Sequence, residues 1–232
     1  MKKIMKDGVL GVLRGLVLGM AVLMVAVPAQ AVPSTLGDLN TNNGYIQQGD
    51  KLFNEFYYID VNGNGPGAAN INVSGNTTAG YHGVQFQGGF IDLPGPPSLD
   101  IYFGYTVSVT DYTKEISDIH VAANLAIFGV GATSSLTMEA FDGTFPYPLL
   151  GSVTLTNPPS VLSGFDVFPY SVPKAYIVNR LQLDGGAKGI ATLSFDNNWL
   201  SQVSVPEPAT ILLLGSGLLG MGFVNRKQKI SR

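Results

Sequence analysis

The chain has 232 residues, a formal net charge of −3 and no cysteine, which excludes disulfides, thiolate metal sites and a cysteine nucleophile. The small net charge conceals a division. The first 31 residues and the last 28 carry four basic residues each, whereas residues 32–204 hold five basic and 14 acidic residues, a net of −9. Such an acidic body is a poor partner for nucleic acid or anionic lipid.

Residues 1–31 have the three regions of a secretory signal peptide, expected as a helix. Lys2, Lys3, Lys6 and Arg14 form the basic leader, residues 15–27 are apolar, and Ala29 and Ala31 make a small-x-small cleavage signal. The expected cut lies between Ala31 and Val32. The 173 residues that follow, 32–204, suffice for one well-buried extracytoplasmic domain. Residues 32–44 are polar and Asn-rich and read as a loose lead-in.

From there the pattern is strands. The clearest covers 99–110, where Leu99, Ile101, Phe103, Tyr105, Val107 and Val109 alternate with Asp100, Tyr102, Gly104, Thr106, Ser108 and Thr110. A period of two in β-branched and aromatic residues marks a strand with one buried face. Shorter runs are expected at 51–61, 70–73, 83–91, 116–128, 135–141, 149–156, 162–168, 175–183 and 190–195. The run at 116–128 is ambiguous, because its Ala and Leu also suit a helix. Gly/Asn/Pro clusters at 62–67, 94–97, 157–159 and 184–186 separate the runs. Short strands at this spacing, without a convincing amphipathic helix, predict an all-β body: an antiparallel β-sandwich or jelly roll.

Chemistry-bearing residues are sparse. The body holds two histidines, His82 in a Gly-rich turn region and His120 in a strand pattern. Neither a Gly-x-Ser-x-Gly elbow nor a His-Glu-x-x-His motif occurs, so no catalytic residue is assigned and a non-enzymatic role is expected. Carboxylates that meet only in the fold could still form a glycosidase pair. Asp60, Asn62 and Asn64 match the opening of a calcium loop, but position twelve is Ile71 and the bidentate Glu is missing. The alternatives are an improvised Ca2+ site and a plain Asn-Gly turn between strands. Tyr57, Tyr58, Tyr81, Tyr102, Tyr112, Tyr147, Tyr170 and Trp199 are candidates to stack on sugar rings, against a core role for each.

The last segment, 205–232, has three parts. Val205, Pro206, Glu207 and Pro208 precede an uncharged apolar run at 209–224, and Arg226, Lys227, Lys229 and Arg232 follow. As a helix the run measures about 24 Å, a short span against a hydrocarbon core of about 30 Å. The basic flank would be retained on the cytoplasmic side, and the two prolines would leave an extended segment on the other. This tail resembles the PEP-CTERM sorting signal of exported bacterial proteins.

The resemblance implies processing by an exosortase, a membrane-embedded cysteine transpeptidase-like protease, with Glu207 as a recognition residue. It also implies transient anchoring by a C-terminal transmembrane helix, then a cell-surface or extracellular location. In the body, residues 47–53, 172–174 and 189–195 resemble PEP-CTERM proteins that have no enzyme domain. That likeness implies a β-rich extracellular-matrix protein associated with exopolysaccharide and biofilm. The alternative is a secreted carbohydrate-binding or glycosidase-like protein.

Overall fold

A computed structural model describes residues 34–144 and 147–205. Ala29 and Ala31 of the signal peptide lie outside them. So do Pro206, Glu207, Pro208, the expected transmembrane helix and the basic residues Arg226, Lys227, Lys229 and Arg232. Among the described residues no helix is long and apolar enough to cross a membrane.

The described residues form twelve strands in two six-stranded sheets, in which every pairing is antiparallel. The strands are β1 (Ser34–Thr35), β2 (Ile46–Gln48), β3 (Lys51–Asp60), β4 (Asn72–Thr78), β5 (Tyr81–Asp92) and β6 (Leu99–Val109). They continue as β7 (Lys114–Phe128), β8 (Thr133–Asp142), β9 (Leu149–Asn157), β10 (Ser163–Val172), β11 (Lys174–Asp184) and β12 (Ile190–Ser204). The front sheet has the order β2-β3-β6-β11-β8-β9 and the back sheet β1-β4-β5-β12-β7-β10. The ambiguous run at 116–128 is strand throughout.

Between the sheets lies one apolar core. Phe53, Phe103 and Tyr105 from the front meet Phe86 and Phe90 from the back, all essentially buried. Phe86 meets Phe103 edge-on at 4.8 Å and Phe53 meets Tyr105 edge-on at 5.5 Å, an arrangement that suits the ring quadrupoles. Tyr58, a candidate for the surface, packs against this core instead.

The expected loose lead-in is a correction. After β1 the chain forms a short helix, α1 (Leu36–Thr41), and buries Leu36 and Leu39. The Thr35 hydroxyl oxygen accepts the Asp38 backbone N–H at 3.0 Å, and the hydroxyl donates to the Asp38 carboxylate at 2.7 Å. That reciprocal cap satisfies the first turn of a six-residue helix too short for periodicity to reveal. Strand β12 is a second correction, since it runs nine residues past the expected end at 195.

β12 also explains a polar seam inside the core. Asp196 and Asn198 are fully buried on its inner side. The Asn198 amide donates to the Asp196 carboxylate at 2.9 Å, while Asn198 Oδ1 accepts from Asn179 Nδ2 at 2.9 Å and the Tyr105 hydroxyl at 3.3 Å. Two strands of the front sheet are thus tied to one of the back by side chains. Burial pushes the Asp196 carboxyl up to about 7, against the lowering effect of the Asn198 amide.

A second polar tie closes one end of the sandwich. Lys51, buried, donates to Gln202 Oε1 at 3.0 Å, and Asp50 accepts from Lys114 Nζ at 2.9 Å and from Gln202 Nε2. Burial raises the Asp50 carboxyl, but those two hydrogen bonds and the nearby Lys51 and Lys114 charges outweigh it and hold it at about 2.

The Asp196 carboxyl gives a pH-dependent stability. Its folded value of about 7 lies above the ordinary 3.8, so between those values the folded form keeps a proton that the unfolded chain releases. Stability therefore falls as pH rises through that window, by on the order of 4 kcal/mol when complete. Thermal unfolding followed by circular dichroism at about pH 5 and about pH 7.5 checks this. Asp196→Asn is expected to flatten the pH slope and to melt higher at the upper pH, and an unchanged slope would assign the effect elsewhere.

A tyrosine-lined cleft as the candidate functional site

Along β11, Ala175, Ile177, Leu181 and Leu183 face the core, so Tyr176, Val178 and Arg180 face out. Register places Tyr176 beside Thr106 of β6 and Phe141 of β8, and Val178 beside Gly104 and Glu139. Tyr57 of β3 lies opposite Gly104 and stacks on Tyr176, with centroids 5.8 Å apart and planes 22° apart. Gly104 is required here: a Cβ would stand 2.6 Å from the Tyr57 ring and 2.0 Å from the Ile177 carbonyl oxygen. Burial pushes the Tyr57 phenol far above its ordinary value, and Tyr176 adds to the shift, so it stays neutral.

The result is an open cleft of about 650 Å3 on the front sheet. Tyr176, Phe141, Tyr147 and Val178 supply apolar surface, and Glu55, Lys174 and Thr106 supply polar groups. Glu55 enters by a β-bulge between Asn54 and Tyr57, where its φ of +53° is left-handed. The bulge explains why Phe53 and Phe56, three apart, are both buried. It aims the Glu55 carboxylate at the Thr106 hydroxyl, which donates to it at 2.5 Å, with Lys174 Nζ at 3.7 Å. A glutamate held in a left-handed conformation is strain retained at a site.

Of the aromatic residues named from sequence, Tyr147 lines this cleft and Tyr57 stacks on its Tyr176 wall. Tyr102 lies on the same face under the Arg180 guanidinium, 5.1 Å from its ring centroid. Tyr81 and Trp199 are on the opposite, back face. Tyr112 is 93% exposed in the β6–β7 turn, and the Tyr170 hydroxyl donates to Asp142 at 3.4 Å. Sequence reasoning missed Glu55, Phe141 and Tyr176. Alternation along 175–183 was enough to turn Tyr176 outward, but only register could show which aromatics share a row.

The loop after β3 engages its own polar groups. Asp60 accepts the backbone N–H of Gly63 at 2.9 Å and of Gly65 at 2.7 Å. Asn62 and Asn64 donate their side-chain N–H to the carbonyls of Ser98 and Pro97. Asp60 thereby closes the loop on itself, and the two asparagines pin it to the β5–β6 connection. Among the described residues no group of three or more His, Asp or Glu side chains is placed to hold a metal ion. His82, expected at a turn surface, is instead in β5 beneath Gly49, with Nδ1 3.2 Å from the Thr77 hydroxyl. His120 lies on the outer face of β7, its Nε2 3.3 Å from Asp118.

The sandwich ends where the tail begins. Ser204 is the last residue of β12, and the Val205 N–H donates to the Thr113 carbonyl at 2.7 Å. Residues 204–227 match the PEP-CTERM protein-sorting motif. The chain is therefore a PEP-CTERM motif-bearing protein, and that motif implies export with transient membrane association. No curated protein matches the chain.

Three solved structures show limited likeness. TmCBM61 in complex with β-1,4-galactotriose has a TM-score of 0.36 at 8% identity, over 64% of this chain and 88% of that one. The glycosylation-associated protein complex of Streptococcus agalactiae has a TM-score of 0.28 at 11% identity, over 62% of this chain and 25% of that one. The enzymatically active domain of tailspike protein 4 from bacteriophage CBA120 has 0.27 at 12%, over 60% and 19%. All three scores are too low to establish a shared architecture.

Glu55 yields a stability test independent of any ligand. Both Glu55→Gly and Glu55→Ala lose the Thr106 hydrogen bond, but Gly alone relieves the left-handed strain, so it should be about 1 kcal/mol more stable than the Ala variant. Denaturant melts of the two variants beside the wild type check the difference. A Gly variant no more stable than the Ala variant would show the bulge to be unstrained.

Proposed function

We propose that the protein is an exported, non-enzymatic surface or matrix protein that binds polysaccharide through the front cleft. The observation that carries this reading is the cleft itself: Tyr147 and Tyr176, the latter backed by Tyr57, beside one carboxylate, one ammonium and a hydroxyl. Flat rings match the apolar faces of pyranoses, and the polar groups match their hydroxyls. The body's net charge of −9 favours neutral polymers over acidic ones.

Binding is preferred over hydrolysis because Glu55 is the one carboxylate among the described residues that line the cleft, and glycosidases use two. Glu139, on the same face, is the residue that an enzymatic reading would recruit. Ca2+ has no place in this reading. Export would use the signal peptide ending at Ala31, and an exosortase would act at Pro206, Glu207 and Pro208 to place the body at the cell surface or outside the cell.

Affinity electrophoresis of the full chain in detergent, through gels containing galactan, glucomannan or β-glucan, tests the binding. Retardation is expected on at least one polymer, about tenfold weaker for Tyr176→Ala and unchanged for the exposed-turn variant Tyr112→Ala. No retardation on a wider panel that includes the host's own polysaccharide would defeat the reading. Release of reducing sugar that vanishes in both Glu55→Gln and Glu139→Gln would replace it with an enzyme.

Sorting has its own readout, the intact mass of the protein from cells, envelope and medium. A species starting at Val32 and ending near Pro206–Pro208 is expected. One that retains Arg232 in every fraction would make the tail a permanent anchor.

A further inference from the structure

The back sheet presents a second aromatic row that the front cleft does not use. Cross-strand register aligns Asn76, Gly83, Trp199, His120 and Phe165 across β4, β5, β12, β7 and β10. His120 is sandwiched between two rings: Phe165 stacks on it at 5.4 Å and 18°, and Tyr81 lies at 4.8 Å and 34°. Asp118 orients the imidazole through Nε2 while also accepting from the Ser201 N–H and hydroxyl. Phe165 is 65% exposed, although it stands on a strand whose Phe168 and Val172 reach the core.

The next row supplies a floor and polar groups. Ala122 and Ser163 are small, and beside them Trp199, His120 and Phe165 wall a trench of about 490 Å3. Asn197 Oδ1 accepts from Asn76 Nδ2 and Gln85 Nε2, both at 2.7 Å, an amide network of β4, β5 and β12 that flanks the trench without lining it. The Trp199 indole N–H is shielded from solvent and has no hydrogen-bond partner among the described residues. A buried indole N–H without an acceptor is rare.

Cross-strand ring pairs alone can serve sheet stability. They do not account for an exposed Phe165, an orphaned indole donor and a small-residue floor in one place. Rings and small residues with the Thr78 and Ser163 hydroxyls, and no Asp, Glu, Lys or Arg among the described lining residues, fit a neutral polysaccharide better than a lipid surface or an acidic partner. We propose that this trench is a second glycan-binding site, so that the protein is bivalent and bridges polymer strands across its two faces. The bivalence rests on the front-cleft reading, whereas the trench as a site does not.

The test uses the full chain in detergent at one chain per micelle, with galactan, glucomannan and β-glucan as probes. Affinity electrophoresis compares wild type, Tyr176→Ala, Phe165→Ala and the double variant. Phe165 is exposed, so its loss should leave the melting temperature unchanged, and Trp199→Phe keeps a ring while deleting the orphaned donor. Each single variant is expected to bind about tenfold more weakly, and the double variant not at all. Wild type held on a polysaccharide-coated surface should capture a second, labelled soluble strand, and neither single variant should.

Phe165→Ala and Trp199→Phe binding like wild type, while Tyr176→Ala abolishes retardation, would overturn the trench and leave the front cleft standing. A silent Tyr176→Ala with binding lost in Phe165→Ala would keep the trench as a lone site and overturn the bivalence. No retardation of the wild type by any probe would overturn both.

Discussion

The back sheet depends on β12. That strand pairs with β5 along one edge and with β7 along the other, so it joins the β1-β4-β5 half to the β7-β10 half. Without it, both halves would expose rows of unpaired N–H and C=O groups, and the core residues of β5 and β7 would lose their shared backing. β12 is also the last strand in sequence. Its contacts with β5 span about a hundred residues, which makes closure of the back sheet a late, non-local event. The same fifteen residues then serve both sides, with Asp196, Asn198 and Leu200 pointing in and Asn197 and Trp199 pointing out.

The inward side of β12 shows why this core is not simply greasy. A carboxyl buried among Phe and Tyr rings is costly when charged, and Asp196 responds by holding its proton to higher pH. Asn198 turns that group into part of a network reaching Asn179 and Tyr105 in the other sheet. An apolar core would tolerate a slip of two residues in β12 with little loss of burial. A seam with fixed partners would not, because a shifted Asp196 or Asn198 would meet rings in place of amides. The seam therefore trades some stability for a single register, and that register also sets which outer residues share a row.

Much of the front sheet was legible because its strands alternate cleanly. Strands β6, β8 and β11 carry apolar residues inward at a period of two, and that period revealed them. β12 was read short for a physical reason: beyond Phe195 its inward positions are Asp196 and Asn198, so the apolar alternation stops while the strand continues. β4 (Asn72–Thr78), next to the short edge strand β1, offers the same lesson, since Val73 is its one buried hydrophobe. Thr35 and Asp38 form the α1 cap, but six residues give no helical period by which the lead-in could be read as a helix. The candidate sites were less legible than the strands. Tyr57 and Tyr147 stood on the list of aromatics, yet Tyr176 and Glu55 enter the cleft through register and a bulge, which no single stretch encodes.

The end of β12 fixes how both faces stand relative to the tail. The Val205 N–H is bonded to Thr113, and Pro206 follows at once, so little chain separates the sandwich from the sorting motif. The edge at which the tail begins is therefore the one formed by the Asp111–Thr113 turn, Asp50 and Pro173, all tied together by backbone hydrogen bonds near Val109, Thr110 and Val205. Tyr176 is three residues from Pro173, about 10 Å along the strand, and Trp199 is six residues from Val205, about 20 Å. Both aromatic surfaces lie on the broad sides of the sandwich and not on that edge. Both surfaces therefore stand off the end of the sandwich at which the tail begins, the trench by the greater distance along its strand.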